Sequence, residues 1–111
     1  MQKEPTQYKV CIIIPFFGQW PKYFNLFLKS ISNTSTLHFA FFTDLEEPSI
    51  KLPNVSYTQT TLRDLQKRFS QALGFECVLD QPYKFCDYKP AYGDLFAKEI
   101  EGYTHWACGD I

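Results

Sequence analysis

Two aspartates stand at the exits of apolar runs, where a folded chain can set a carboxylate against a ligand. Asp44 closes the run Leu37 to Phe42 (LHFAFF) through Thr43, and Asp110 follows Thr104 to Cys108 (THWAC) through Gly109. At a strand exit, Asp44 can accept hydrogen bonds from a ribose hydroxyl or a base N–H, as an acidic residue does at the matching place in dinucleotide-binding folds. As a turn aspartate it would only shape the step into Leu45-Glu46. Asp110 can likewise be an ordinary Gly-Asp turn or one oxygen ligand of a hard cation. Carboxylates at i and i+2 on an extended segment point to one side and suit Mg²⁺ or Mn²⁺, so Asp110 alone supplies half of such a site. Lys84 and Lys89 flank Asp87; they can offset diphosphate charge or lie solvated on the surface. Asp87 by itself suits the positive N-terminus of a following helix.

Other polar groups have simpler explanations. His38 lies mid-run between apolar neighbours and reads as a satisfied buried histidine. His105 stands beside Trp106 with no Ser or Cys nucleophile in triad context. Cys11, Cys77, Cys86 and Cys108 lack C-x-x-C spacing, which favours buried free thiols over a disulfide framework. A zinc site from Cys77, Cys86, His105 and Cys108 is a minor alternative.

The elements that must position these residues follow from hydrophobic periodicity. Lys9 to Phe17 (KVCIIIPFF) is a continuous β-branched and aromatic run, the pattern of a strand buried on both faces, with pairing failing near Pro15. Gly18 allows a turn. From Trp20 onward, Trp20, Phe24, Phe27, Leu28 and Ile31 keep helical spacing, with Pro21 in the first turn and Asn33 and Ser35 past the end. Leu37 to Phe42 is a second buried strand, and Glu46 to Pro53 an acidic, proline-containing loop. Val55 to Thr58 alternates as a half-exposed strand. Thr61-x-x-Asp64 opens a helix with the stripe Leu62, Leu65, Phe69, Ala72 and Leu73, capped by Gly74. Phe75 to Tyr88 has no clear period. A third helix is expected from about Pro90 to Ile100, then a fourth strand, Thr104 to Cys108.

Strands separated by helices predict an α/β fold: a Rossmann-like, mostly parallel sheet with flanking helices and right-handed crossovers. The first two apolar runs should pair in parallel at its centre. Ligands of such sheets bind outside the carboxyl ends of the strands, which here carry Gly18, Asp44 and Asp110. Neither G-x-G-x-x-G nor G-x-x-x-x-G-K-[ST] occurs, so the dinucleotide and P-loop fingerprints are absent.

The 111 residues suit one domain with a real core, and 45% hydrophobic with 21% charged residues argues against long disorder. Eleven Lys and Arg against twelve Asp and Glu leave no basic stripe for nucleic acid. No apolar run approaches the roughly 20 residues of a membrane helix. The N-terminus lacks a signal-peptide pattern, so a cytoplasmic location is expected. Aromatics reach 18%; a sugar-binding surface can use such rings, but their core-facing spacings favour packing.

The segments KVCIIIPFFGQWPKYFNLFLKSI, FFTD, YKFCDYKPAYGDLF and GYTHWACGDI together resemble a group of bacterial glycosyltransferases with a GT-A-like nucleotide-sugar fold, over nearly the whole chain. YKFCDYKPAYG followed by W-x-x-GDI is the specific part. In that group the last segment continues as Asp-Ile-Asp, a D-x-D element holding a divalent metal on the donor diphosphate. The resemblance therefore implies Asp110 as a Mn²⁺ or Mg²⁺ ligand and Phe16, Phe17 and Gly18 around the nucleoside, where the strand-exit reading also puts Asp44. It also implies Asp87 at donor-sugar hydroxyls, with Lys84 and Lys89 near the diphosphate.

On that basis the chain is expected to be the donor-binding N-terminal half of a GT-A-type enzyme. It would serve metal-dependent transfer of a sugar from a nucleotide-sugar to a glycan or other acceptor, as in polysaccharide biosynthesis. Ending at Ile111, directly after a strand, it reads as truncated, inactive alone and open to self-association through an exposed sheet edge. The alternatives are a noncatalytic nucleotide- or carbohydrate-binding module, complete at this length, and a nucleotidyltransferase-like enzyme.

Overall fold

The computed structural model describes residues 8–111. It is an α/β fold: four parallel strands, β1 (Val10–Pro15), β2 (Leu37–Thr43), β3 (Val55–Gln59) and β4 (His105–Cys108), in the order β3-β2-β1-β4. The helices are α1 (Phe24–Ile31), α2 (Leu62–Leu73), α3 (Tyr92–Leu95) and α4 (Ala97–Ile100), with a 3₁₀ helix (Pro82–Ala91) ahead of α3. As the two continuous apolar runs require, β1 and β2 pair in parallel at the centre, in the register Val10 with Leu37 through Pro15 with Phe42. No helix among the described residues is long and apolar enough to cross a membrane.

Each central strand is apolar on both sides because each side meets a different layer. Cys11, Ile13, Ala40 and Phe42 face a core that includes Leu65, Phe69, Phe85, Tyr92, Leu95 and Phe96. Ile14, Phe39 and Phe41 face Phe24, Leu28 and Ile31 of α1. The abundant rings thus pack mainly into two clusters, with contacts such as Phe42 on Phe96 at 4.6 Å and Trp20 on Phe24 at 4.3 Å between centroids. The strand order explains the two layers. The chain steps outward from β1 to β2 to β3 and then returns past β1 to β4, and right-handed crossovers in opposite directions cover opposite faces.

Local chemistry sets the helix ends. Thr61 accepts the Asp64 N–H at 3.1 Å to cap α2, and Gly74 closes it in a left-handed conformation with φ 75°. Helix α1 begins at Phe24 rather than Trp20. A residue before proline is biased away from helical backbone, and Trp20, before Pro21, instead donates its indole N–H to the Glu46 carbonyl at 2.9 Å. The expected helix from Pro90 to Ile100 is divided at Phe96 (φ −116°, ψ 31°), whose ring is fully buried against Phe42, Phe69 and Tyr92. Core packing outweighs helical continuity there. Arg68 ties α2 to this broken segment: it donates to the Leu95 carbonyl and to both Glu99 carboxylate oxygens, and it stacks over Phe96 at 5.1 Å.

Beyond Cys108 the backbone lies so close to β1 that a Cβ on Gly109 would stand 2.6 Å from Ile12 Cγ2 and 2.9 Å from Ile14 Cγ1. Both contacts belong to well-packed strand residues. Gly109→Ala should destabilise the fold by about 1–3 kcal/mol, measured as a lower urea midpoint at unchanged slope; a midpoint equal to the parent's would refute this close packing.

Candidate functional site

In a sheet ordered β3-β2-β1-β4, consecutive connections leave β1 toward β2 but reach β4 on its other side. The topological switch therefore lies between β1 and β4, the position at which such sheets form a crevice outside the carboxyl ends of their strands. A cavity of about 220 Å³ opens there. Pro15, Phe16 and Phe17 line it at the end of β1, Gly109 and Asp110 just past β4, and Pro82, Tyr83, Phe85, Cys86, Lys89 and Tyr92 from the covering helices.

The covering wall follows from the geometry of the 3₁₀ helix. At three residues per turn, side chains at i and i+3 eclipse one another, so Tyr83, Cys86, Lys89 and, one step on, Tyr92 form one ridge along the crevice. Phe85 and Tyr88 form the second ridge and pack against the core. Asp87, on the third, is exposed and outside the crevice lining. Lys84, on that same ridge, places its ammonium 5.5 Å from the Tyr83 ring centroid. Read at helical period 3.6, the segment shows no pattern; read at period 3, Tyr83, Cys86 and Lys89 share the crevice side, and Pro82 and Phe85 of the neighbouring ridge also border it.

Electrostatics concentrate on one pair. Lys89 Nζ donates to Asp110 Oδ2 at 3.1 Å, with the two side chains 31% and 81% exposed. The hydrogen bond to Asp110 pushes the lysine's pKa up. Such an exposed pair adds little stability; its consequence is that a cation and an anion sit together at the crevice mouth. Cys108 donates its thiol to the Lys89 carbonyl at 3.7 Å, and burial raises its pKa. Phe17 is buried and stacked on Phe85 at 5.7 Å, so one face is consumed by the core. Phe16 is half-buried and stacked on Trp20 at 5.5 Å.

The structure thus gathers Phe16, Phe17, Lys89 and Asp110 in one crevice and leaves Gly18, Asp44, Lys84 and Asp87 outside its lining. Gly18, at φ +110° with open space around its Cβ position, serves the backbone turn after β1. Asp44 is exposed at the end of β2, in a turn that Thr43 builds by accepting the Leu45 N–H at 3.0 Å. Tyr83, Cys86 and Tyr92 are lining residues that periodicity at 3.6 or 2 does not reveal; their common spacing of three is the signal that finds them. A larger cavity of about 470 Å³ lies between α1 and the loop before β3, lined by Leu26, Leu28, Ile50 and Leu52 with Lys29 as its one charge. It holds no group suited to acid–base or metal chemistry.

One carboxylate does not make an all-protein metal site, and among the described residues no three His, Cys, Asp or Glu side chains gather for one. The four residues of the zinc alternative are not brought together. Asp110 fits a different arrangement, in which Mg²⁺ or Mn²⁺ takes one carboxylate, ligand phosphates and water.

The chain belongs to a family of unknown function, DUF6625, whose model matches residues 12–111. No curated protein and no solved structure matches it significantly.

Away from the crevice, His38 is half-buried and shares a hydrogen bond of 3.0 Å with Ser56 Oγ, and burial lowers its pKa from the ordinary 6.5. The folded state therefore binds fewer protons than the unfolded state once pH falls below about 6.5, so stability is lost as pH falls. Between pH 7.5 and 5.5 the unfolding free energy should decline with a His38 contribution of at most about 1.4 kcal/mol per pH unit. His38→Gln should flatten that decline; an identical pH profile in the variant would rule the assignment out.

Proposed function

We propose that this member of the DUF6625 family binds a nucleotide-sugar at the crevice between β1 and β4 and acts as the donor-binding portion of a glycosyltransferase. The observation that carries the reading is the position of the mixed-charge crevice at the topological switch of a parallel sheet, the place where such sheets bind phosphate-bearing ligands. Neighbouring strands lie about 4.8 Å apart. Asp110 after β4, Phe16 after β1 and Asp44 after β2 therefore succeed one another along the carboxyl edge over about 10 Å.

In this pose Lys89 meets the diphosphate, the half-exposed ring of Phe16 meets the base, and Asp44 receives hydrogen bonds from the ribose or base. Asp110 would hold a divalent cation, which would supply neutralisation of the leaving diphosphate. Lys89 leaves Asp110 for the phosphate, an exchange that costs little because the pair is exposed. Exchange also frees the Asp110 carboxylate. The residues that face the acceptor glycan are not assigned to this crevice.

A second reading rests on the Lys89–Asp110 pair itself. Asp110 already has a cationic partner, which suits a noncatalytic module that binds anions without metal. Calorimetric titration of UDP, GDP, ADP and CDP, each with and without Mn²⁺, separates the two. The transferase reading expects dissociation constants of about 1 mM or lower, tightened at least several-fold by Mn²⁺, with the Mn²⁺ effect abolished in Asp110→Asn. Metal-independent binding that Asp110→Asn leaves equal or stronger selects the module instead. Failure of all four nucleotides to bind at millimolar concentration overturns both.

A further inference from the structure

The crevice contains a polar atom with no partner. Tyr92 is 1% exposed and lines the crevice, yet its hydroxyl is buried without a hydrogen bond. Leaving such a group unpaired is unfavourable, and Phe would fill the same space without that penalty. Among the described residues, two other buried polar atoms share this condition, Asn54 Oδ1 and Tyr57 Oη, but neither borders the crevice. Asn54 is anchored by its amide nitrogen, which donates to the Ile31 and Thr34 carbonyls at 2.9 and 3.2 Å. Tyr57 stacks on Phe41 at 5.4 Å within the α1-side cluster. Tyr92 alone of the three sits where a ligand can supply the missing acceptor.

Its neighbours define that acceptor. Lys89 precedes Tyr92 by three residues on the crevice ridge, and Asp110 and Cys86 line the same space. Burial, reinforced by Cys108, Asp110 and Cys86, pushes the Tyr92 phenol well above its ordinary pKa, so it keeps its proton and is available as a donor. A neutral donor and an ammonium lining one crevice match an oxygen that carries negative charge.

We propose that Tyr92 Oη is a buried binding residue that donates its hydrogen bond to a phosphoryl oxygen of the ligand, with Lys89 meeting the charge of the same phosphate. The proposal rests on reading the crevice as a phosphate-ligand site and adds to it the group that recognises the phosphate from below. In this arrangement Lys89 exchanges Asp110 for that phosphate. The unpaired hydroxyl is then the stored half of a contact completed only on binding.

Tyr92→Phe tests this directly, with inorganic pyrophosphate and UDP as probes in the presence of Mn²⁺. Because the variant loses only an unpaired hydroxyl, its thermal midpoint should be unchanged or higher, while pyrophosphate affinity falls about 10-fold or more. In the parent protein carrying ¹³Cζ-labelled tyrosine, the Tyr92 resonance should move on pyrophosphate addition. This second measurement decides the matter if the variant is poorly folded. Equal pyrophosphate affinity in parent and variant, or a Tyr92 resonance that stays in place at saturation, overturns the proposal while UDP binding by the parent still supports the nucleotide reading. Pyrophosphate binding that depends on Tyr92, without tighter binding of UDP, keeps the proposal and removes the nucleotide-sugar reading. A parent that binds neither probe overturns both.

Discussion

Burial of β1 on both faces is the constraint from which the rest of the structure follows. Cys11 and Ile13 need cover on one side of the sheet, and Ile12 and Ile14 need it on the other. A parallel strand in that position must be flanked by crossovers running in opposite senses. That demand places β2 and β3 on one side of β1 and β4 on the other, and the reversal of order opens the crevice. Site and core are thus two results of one packing requirement. Gly109 shows how closely they are joined: it lets the chain leave β4 against Ile12 and Ile14 and delivers Asp110 to the crevice mouth one residue later.

The covering wall depends on a compromise in backbone geometry. A 3₁₀ helix of ten residues (Pro82–Ala91) is long for its kind, and its value lies in the three ridges it creates. One ridge seals the core through Phe85, which also borders the crevice, one presents Tyr83, Cys86 and Lys89 to the crevice, and one faces outward with Asp87. An α-helix over the same residues would smear these roles around its axis. The segment is then locked at its far end by the buried rings of Tyr92 and Phe96 and by the Arg68–Glu99 clamp across to α2.

Charge in the crevice is balanced rather than accumulated. Lys89 and Asp110 satisfy each other at the solvent boundary, where pairing contributes little stability and can be exchanged at low cost. Tyr92 is the opposite case, deeply buried and unsatisfied. The crevice thus holds one exposed, mutually satisfied ion pair and one buried hydroxyl that the fold leaves unpaired.

Much of the fold was legible in the sequence, because its signals are local and repeated. Two uninterrupted apolar runs declared the central strands, Thr61 with Asp64 and Gly74 marked both ends of α2, and the alternation of types implied a parallel sheet. The exits of the strands, and hence Asp44 and Asp110, could be named from these signals alone. Which of those exits share a space could not. Strand order is set by the crossovers and the competition of faces for cover, so only the tertiary structure places Asp110 beside Phe16 and Lys89 and leaves Asp44 one strand further along. The division of the helix at Phe96 and the three-residue period of the crevice wall were hidden for the same reason. Each is decided by where a ring must go in the core, and that cavity exists only once the distant segments have met.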